Sequence, residues 1–170
     1  AAEAFNRAAT GPLRRGVGLA SGWYGCGNTS LPNPSTIKAG IRADGGIVLH
    51  QGAMDIGQGA NTVIAQIFAT ALGVPVAEVG LIGPDTDVTP DAGKTSASRQ
   101  TFVSGNAARL CGAALRAEVL RAVNASDEAA LAFAPGEITV DDGAVRHRIA
   151  LGPLAPDGDG YVFAASGWGE

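Results

Sequence analysis

The feature that most constrains this chain is a polar run, Asp85 to Thr101, that opens directly into an apolar helix pattern, Phe102 to Val123. A connecting loop does not need so many small hydroxyl residues set against a helix start. Such a run concentrates backbone N–H and side-chain O–H donors at the positive end of a helix dipole, which suits an anionic ligand. A second segment of the same kind, Gly57-Gln58-Gly59-Ala60-Asn61-Thr62, opens the helix pattern from Asn61 to Leu72. Two donor-rich helix starts in one small chain predict a large ligand with several negative charges.

Bulk composition narrows the classes. At 170 residues with 46% hydrophobic content, the chain can build one domain with a real core or two small lobes. A formal net charge of -4 argues against a nucleic-acid surface, which needs a basic field. No apolar stretch reaches the roughly 18–20 residues of a membrane span. Cys26 and Cys111 are too few for a zinc or iron–sulfur cluster. Cys111 falls on an apolar helix face and reads as a buried free thiol; reduced cysteines point to the cytoplasm. The N-terminus carries neither a signal peptide nor an initiator Met, so the chain reads as a segment of something longer.

Hydrophobic periodicity then orders the elements. Residues 1–8 read as the tail of a helix that Thr10-Gly11-Pro12 breaks. Arg15 to Cys26 alternates small and apolar residues and predicts a buried strand, followed by a turn cluster over Asn28 to Pro34. Ser35 to Arg42 and Ile47 to Gln51 form a hairpin about Asp44-Gly45-Gly46. Val63, Ile64, Ile67, Phe68, Ala71 and Leu72 mark an amphipathic helix that Gly73 ends. Val79 to Ile82 reads as a strand and Ala129 to Phe133 as a helical turn. Glu137 to Val140 and Ala144 to Ile149 form a second hairpin, and Ala155 to Gly160 shows little periodicity. This order gives an α+β fold: mixed and antiparallel hairpins with two main helices on one face. Residues 1–124 form the body of the domain, and 125–170 a C-terminal hairpin with an irregular extension.

Each motif has a plainer reading. Gly57-Gln58-Gly59 is on its own an ordinary strand-to-helix turn, and it lacks the third glycine of a dinucleotide fingerprint. Gly93-Lys94-Thr95 is not a P-loop, because Val88 stands where the earlier glycine belongs. One helix cap near Thr101 would explain one hydroxyl, but not Thr95, Ser96, Ser98, Gln100 and Thr101 together. Asp55, Asp85, Asp87 and Asp91 read as solvated turn carboxylates rather than metal ligands, and His50 and His147 lack visible metal partners.

Taken together, Met54 to Thr62, Asp85 to Pro90 and Thr95 to Ala107 resemble the molybdenum-binding region of the xanthine dehydrogenase/aldehyde oxidase family. Arg15-Gly16-Val17-Gly18 and Asn28 to Ser35 look like its bacterial branch. The resemblance covers about residues 14–120. It implies that Gln58, flanked by Gly57 and Gly59, lies near a pterin cofactor, together with Asn61 and Thr62. It implies that Ala97 is the small residue against the metal. Thr95, Ser96, Ser98, Arg99, Gln100 and Thr101 would form the loop that cradles the pterin and its phosphates. The implied cofactor is molybdopterin cytosine dinucleotide with molybdenum. The implied partners are the remaining large-subunit domains, iron–sulfur and FAD subunits or domains, and a small-molecule substrate.

The implied reaction is hydroxylation of an aldehyde or N-heterocycle with oxygen from water. The family's catalytic glutamate lies in a Gly-x-Gly-Glu context far beyond the loop. Gly167-Trp168-Gly169-Glu170 imitates that context but comes too soon, so no residue of this chain is expected to be the base, and the segment alone is expected to be inactive. The other reading is a non-catalytic module that binds a nucleotide or another phosphate.

Overall fold

A computed structural model describes residues 1–22, 24–27 and 30–170. The core is a four-stranded mixed sheet covered by two helices. β1 (Ser35–Arg42) and β2 (Ile47–Gln51) form the expected antiparallel hairpin, in which Ile37 pairs with Gln51 and Ile41 with Ile47. Gly45 takes φ 91° at its turn, a backbone angle that costs glycine little. From β2 the chain crosses through α2 (Ala60–Leu72) to β3 (Val79–Ile82), which returns parallel to β2. The long α3 (Gln100–Ala122) then packs across β1 and α2. A preceding short helix, α1 (Ala2–Ala8), buries none of its residues.

Burial follows the two periodicities. Ile37, Ala39 and Ile41 alternate toward α3 on β1, while Ile64, Phe68 and Leu72 line the inner stripe of α2. Against them α3 sets Ala107, Cys111 and Leu115, all fully buried. Cys111 is the expected free, buried thiol, and its burial pushes its pKa up to about 12. The α+β class holds.

Three expectations need correction. Arg15 to Cys26 forms no strand among its described residues; Trp23, like Asn28 and Thr29 of the turn cluster, lies outside them. Val17 and Leu19 are 88% and 100% exposed, and a Cβ at Gly16, Gly18, Gly22 or Gly25 would meet nothing within 4 Å. The strand pattern is present, but none of the described residues of this segment pairs with a strand of either sheet. Ala129 to Phe133 is not a helical turn but lies largely in β4 (Ala130–Ala134) of a second sheet, with β5 (Glu137–Asp142) and β6 (Val145–Ala150). Pairing of Leu131 with Val140 and of Phe133 with Ile138 outweighs the helix preference of its alanines.

The C-terminal extension is not irregular to its end. β7 (Tyr161–Gly169) lies beside β1 in the first sheet, with Ser35 opposite Gly169 and Ala39 opposite Ala165. Its glycines admit α3: a Cβ at Gly167 would sit 2.0 Å from the Ala107 carbonyl oxygen. Gly167-Trp168-Gly169-Glu170 is therefore the closing end of a strand, built for contact with a helix.

Candidate functional site

The two donor-rich segments meet in space. A cleft of about 430 Å³ is lined by Gln58 and Ala60 at the start of α2, by residues 95–101, and by Tyr24 and Ile56. Of the residues expected at the site, Gln58, Thr95, Ser96, Ala97, Ser98, Arg99, Gln100 and Thr101 line it. Gly57, Gly59, Asn61 and Thr62 do not.

The helix starts differ in what their donors do. At α2 the Asp55 carboxylate accepts from the N–H groups of Gly57 (2.9 Å), Gly59 (3.3 Å) and Asn61 (3.0 Å). These bonds, led by that from Asn61, hold the Asp55 carboxyl below the usual carboxylate range. Asp55 is thus a built-in anion at the helix N-terminus, a role that the expectation of a solvated turn carboxylate missed. The signal was legible in the Asp-x-Gly spacing, which favours a side chain bonded to the backbone two residues on. Gln58 folds back on the same turn: its carbonyl oxygen accepts from Ile56 N–H at 2.7 Å, and its amide donates to the Met54 carbonyl at 3.3 Å. Asn61 accepts a bond from the buried Gln51.

Among the described residues no side chain caps the start of α3. The capping explanation of the hydroxyl run therefore does not hold. Just before α3, Ala97 and Ser98 both adopt left-handed backbone angles, φ 51° and 53°. For residues with a Cβ this costs on the order of 1 kcal/mol each, and such strain persists only where the surroundings fix it. Gly27 N–H donates to the Ala97 carbonyl at 2.6 Å, and the Cys26 thiol to that of Ser98 at 3.4 Å. Ser96, Ser98 and Thr101 are exposed along this loop, and Ala97 is half-buried.

The other polar side chains of the run turn inward. Thr95 donates to the Met54 carbonyl at 2.8 Å, joining the two cleft walls. Gln100 donates to Thr95 (3.1 Å) and Lys94 (3.2 Å) and accepts from Ser104, whose hydroxyl meets that of Ser35. Arg99, though it lines the cleft, is 1% exposed, and its guanidinium donates to backbone carbonyls within the protein. Burial lowers its pKa from the ordinary arginine value, and nearby Asp91 opposes that shift. Residues beyond the expected set are Tyr24, Ile56 and Ala60 on the lining and Asp55 and Asn33 behind it. Tyr24 belongs to no motif, and only the tertiary fold brings it there; Ile56 and Ala60 lie within the Met54 to Thr62 motif, beside Gln58. Glu170 is exposed and is absent from the cleft lining. Among the described residues no group of three or more His, Cys, Asp or Glu side chains could hold a metal ion.

Comparisons with known proteins place the sequence and the fold beside known relatives. The sequence model of the molybdopterin cofactor-binding domain matches residues 1–160. The xanthine dehydrogenase molybdenum-binding subunit of Escherichia coli O157:H7 is 42% identical over 116 residues, 65% of this chain. The aldehyde oxidoreductase of Megalodesulfovibrio gigas is 35% identical over 113 residues, again 65% of the chain. The chain spans 15% and 12% of those two proteins. Quinoline 2-oxidoreductase from Pseudomonas putida 86 shares the fold over 81% of this chain and 19% of its own, with TM-score 0.57 and 23% identity.

Proposed function

The chain belongs to the molybdopterin cofactor-binding domain family, and from that premise we propose that it supplies one wall of the cofactor site in a molybdenum hydroxylase. The observation that carries the reading is the start of α3, which no described side chain caps and which follows two left-handed residues with small side chains at the wall of a cleft. These features fit the group. Open N–H donors at a helix N-terminus suit phosphate oxygens, and the half-buried Ala97 leaves space where a larger side chain would intrude. The family match does not favour the alternative of a non-catalytic nucleotide- or phosphate-binding module.

In this reading Ser96, Ser98 and Thr101 present hydroxyls and backbone N–H groups to the pterin and its phosphates. Ala97 keeps the space at the metal clear. Gln58, steadied by its bonds to Ile56 and Met54, presents the outer face of its amide to the pterin edge. Asp55 neutralises the α2 N-terminus, so the anionic groups of the ligand are drawn to the α3 start. Gly57, Gly59, Asn61 and Thr62 shape the α2 start from outside the cleft lining, and Gln100, Thr95 and Arg99 brace the loop. When bound, the molybdenum cofactor supplies transfer of water-derived oxygen to an electron-poor carbon and takes up the two electrons released. The form of the cofactor is the cytosine dinucleotide, the pattern of the bacterial branch that the motifs resemble. The substrate is an aldehyde or N-heterocycle, and electrons leave to iron–sulfur centres, and from there to FAD, in other domains or subunits. The general base comes from a part of the enzyme other than this segment, which has no activity alone. The protein works in the cytoplasm, a setting that suits its two free cysteines. Among the described residues no helix is long and apolar enough to cross a membrane.

The test is Ala97→Phe in the complete enzyme. A phenyl ring fills the space beside the metal, so turnover is expected to fall by at least about a hundredfold, or roughly 3 kcal/mol of barrier. The thermal unfolding midpoint should stay close to wild type, because Ala97 lies on a loop at the cleft. Retained turnover would count against the assignment.

A further inference from the structure

We propose that Arg99 is a positioning residue: it fixes the strained Ala97–Ser98 backbone in the shape that binds cofactor, acting through the loop rather than touching the ligand. The inference rests on the reading of the cleft given above and adds a device that holds it in shape. All five N–H donors of the guanidinium are engaged within the protein. Nε donates to the Asn33 side chain; one terminal nitrogen donates to the carbonyls of Ala92 (2.6 Å) and Lys94 (3.0 Å), and the other to those of Asn33 (2.7 Å) and Pro34 (2.6 Å). A guanidinium has five donors in a fixed planar fork and no acceptor, so this environment leaves it none for an anion.

The clamp joins the segment that leads into β1 to the segment that leads into the cradle. Gly93, at φ 63°, makes room for it: a Cβ there would lie 3.0 Å from both the guanidinium and the Pro34 carbonyl. Arg99 follows Ser98 directly, and its own carbonyl accepts the Val103 N–H at 2.7 Å to begin α3. The residue that closes the left-handed pair therefore also starts the helix, and its side chain is anchored on two separate stretches of backbone. Strain of this kind needs surroundings that over-determine it. Lysine has three donors on a flexible stem and cannot reproduce the fork.

The experiment compares the complete enzyme with its Arg99→Lys and Arg99→Gln variants, expressed in a host that makes the molybdenum cofactor. Hydrogen exchange of the peptide covering residues 95–101 is measured beside peptides from α2 and β1. Molybdenum and pterin per chain, and the thermal unfolding midpoint, are read on the same samples. Positioning predicts at least tenfold faster exchange confined to 95–101 and at least tenfold less retained cofactor, with lysine no better than glutamine. If either variant fails to fold, Asn33→Ala, which removes one acceptor of the fork, should show the same local pattern in smaller measure. Unchanged exchange at 95–101, or loss of protection spread evenly over α2 and β1, overturns the proposal. A wild-type enzyme that carries no molybdenum or pterin overturns the functional reading instead, and the exchange data still decide the role of Arg99.

Discussion

At the scale of single residues, the same side-chain chemistry serves opposite ends within the two helix starts. Asp55 spends its charge on three backbone N–H groups at the start of α2, whereas among the described residues no side chain caps the start of α3. Which hydroxyl residues stand at the surface of the cleft was partly legible: Ser96, Ser98 and Thr101 are exposed along it, as a donor-rich loop suggests. Arg99 was not legible. A cation in a polar run reads as facing outward, and only the tertiary path of residues 33–34 and 92–94 supplies the carbonyls that take it inward. His50 is another of the buried polar residues, joined to Tyr161 at 2.5 Å, with its Nδ1 lacking a hydrogen-bond partner of good geometry among the described residues. Burial lowers its pKa from 6.5, Lys38 adds to that shift, and the Val88 backbone and Asp159 oppose it. The folded state thus holds His50 neutral while the unfolded chain takes up a proton. The stability this contributes is complete above pH 6.5 and declines as pH falls from there through the lowered value. The urea midpoint of the wild type is expected to fall across that window, with a flatter profile for His50→Leu. Parallel profiles would show that His50 does not carry the effect.

At the scale of elements, the sequence periods hold where local turn chemistry or an amphipathic stripe defines the element. The β1–β2 hairpin and the stripe of α2 follow their patterns closely, with bounds within one residue of the expected ones for α2. The misread elements are those whose pattern depends on a partner. The alanines of β4 favour a helix until β5 pairs with them, and β7 is disguised by Gly167 and Gly169, whose purpose appears only when α3 lies against them. Gly167→Ala tests this contact. Its Cβ would be driven against the Ala107 carbonyl and the Cys111 N–H, both backbone groups of α3. Overpacking of this kind costs about 1–3 kcal/mol, seen as a lower denaturant midpoint at an unchanged slope. A midpoint equal to wild type would mean that β7 and α3 are not packed this closely.

At the scale of the whole molecule, the mixed sheet and its two helices bring together segments about forty residues apart, Met54–Ala60 and Thr95–Thr101, and Thr95 bonds across the join. The family was legible because those two motifs stand in a fixed order, and it is borne out over residues 1–160. The shape of the cleft was not, since it depends on which donors the fold consumes and which it leaves at the surface. The central claim is that this surface helps hold a molybdenum–pterin cofactor. The most direct measurement is molybdenum and pterin content of the purified complete protein, made in a host competent for that cofactor. The expected result is both in stoichiometric amounts with the polypeptide, the pterin released as its cytosine dinucleotide. Absence of both from folded protein would contradict the claim.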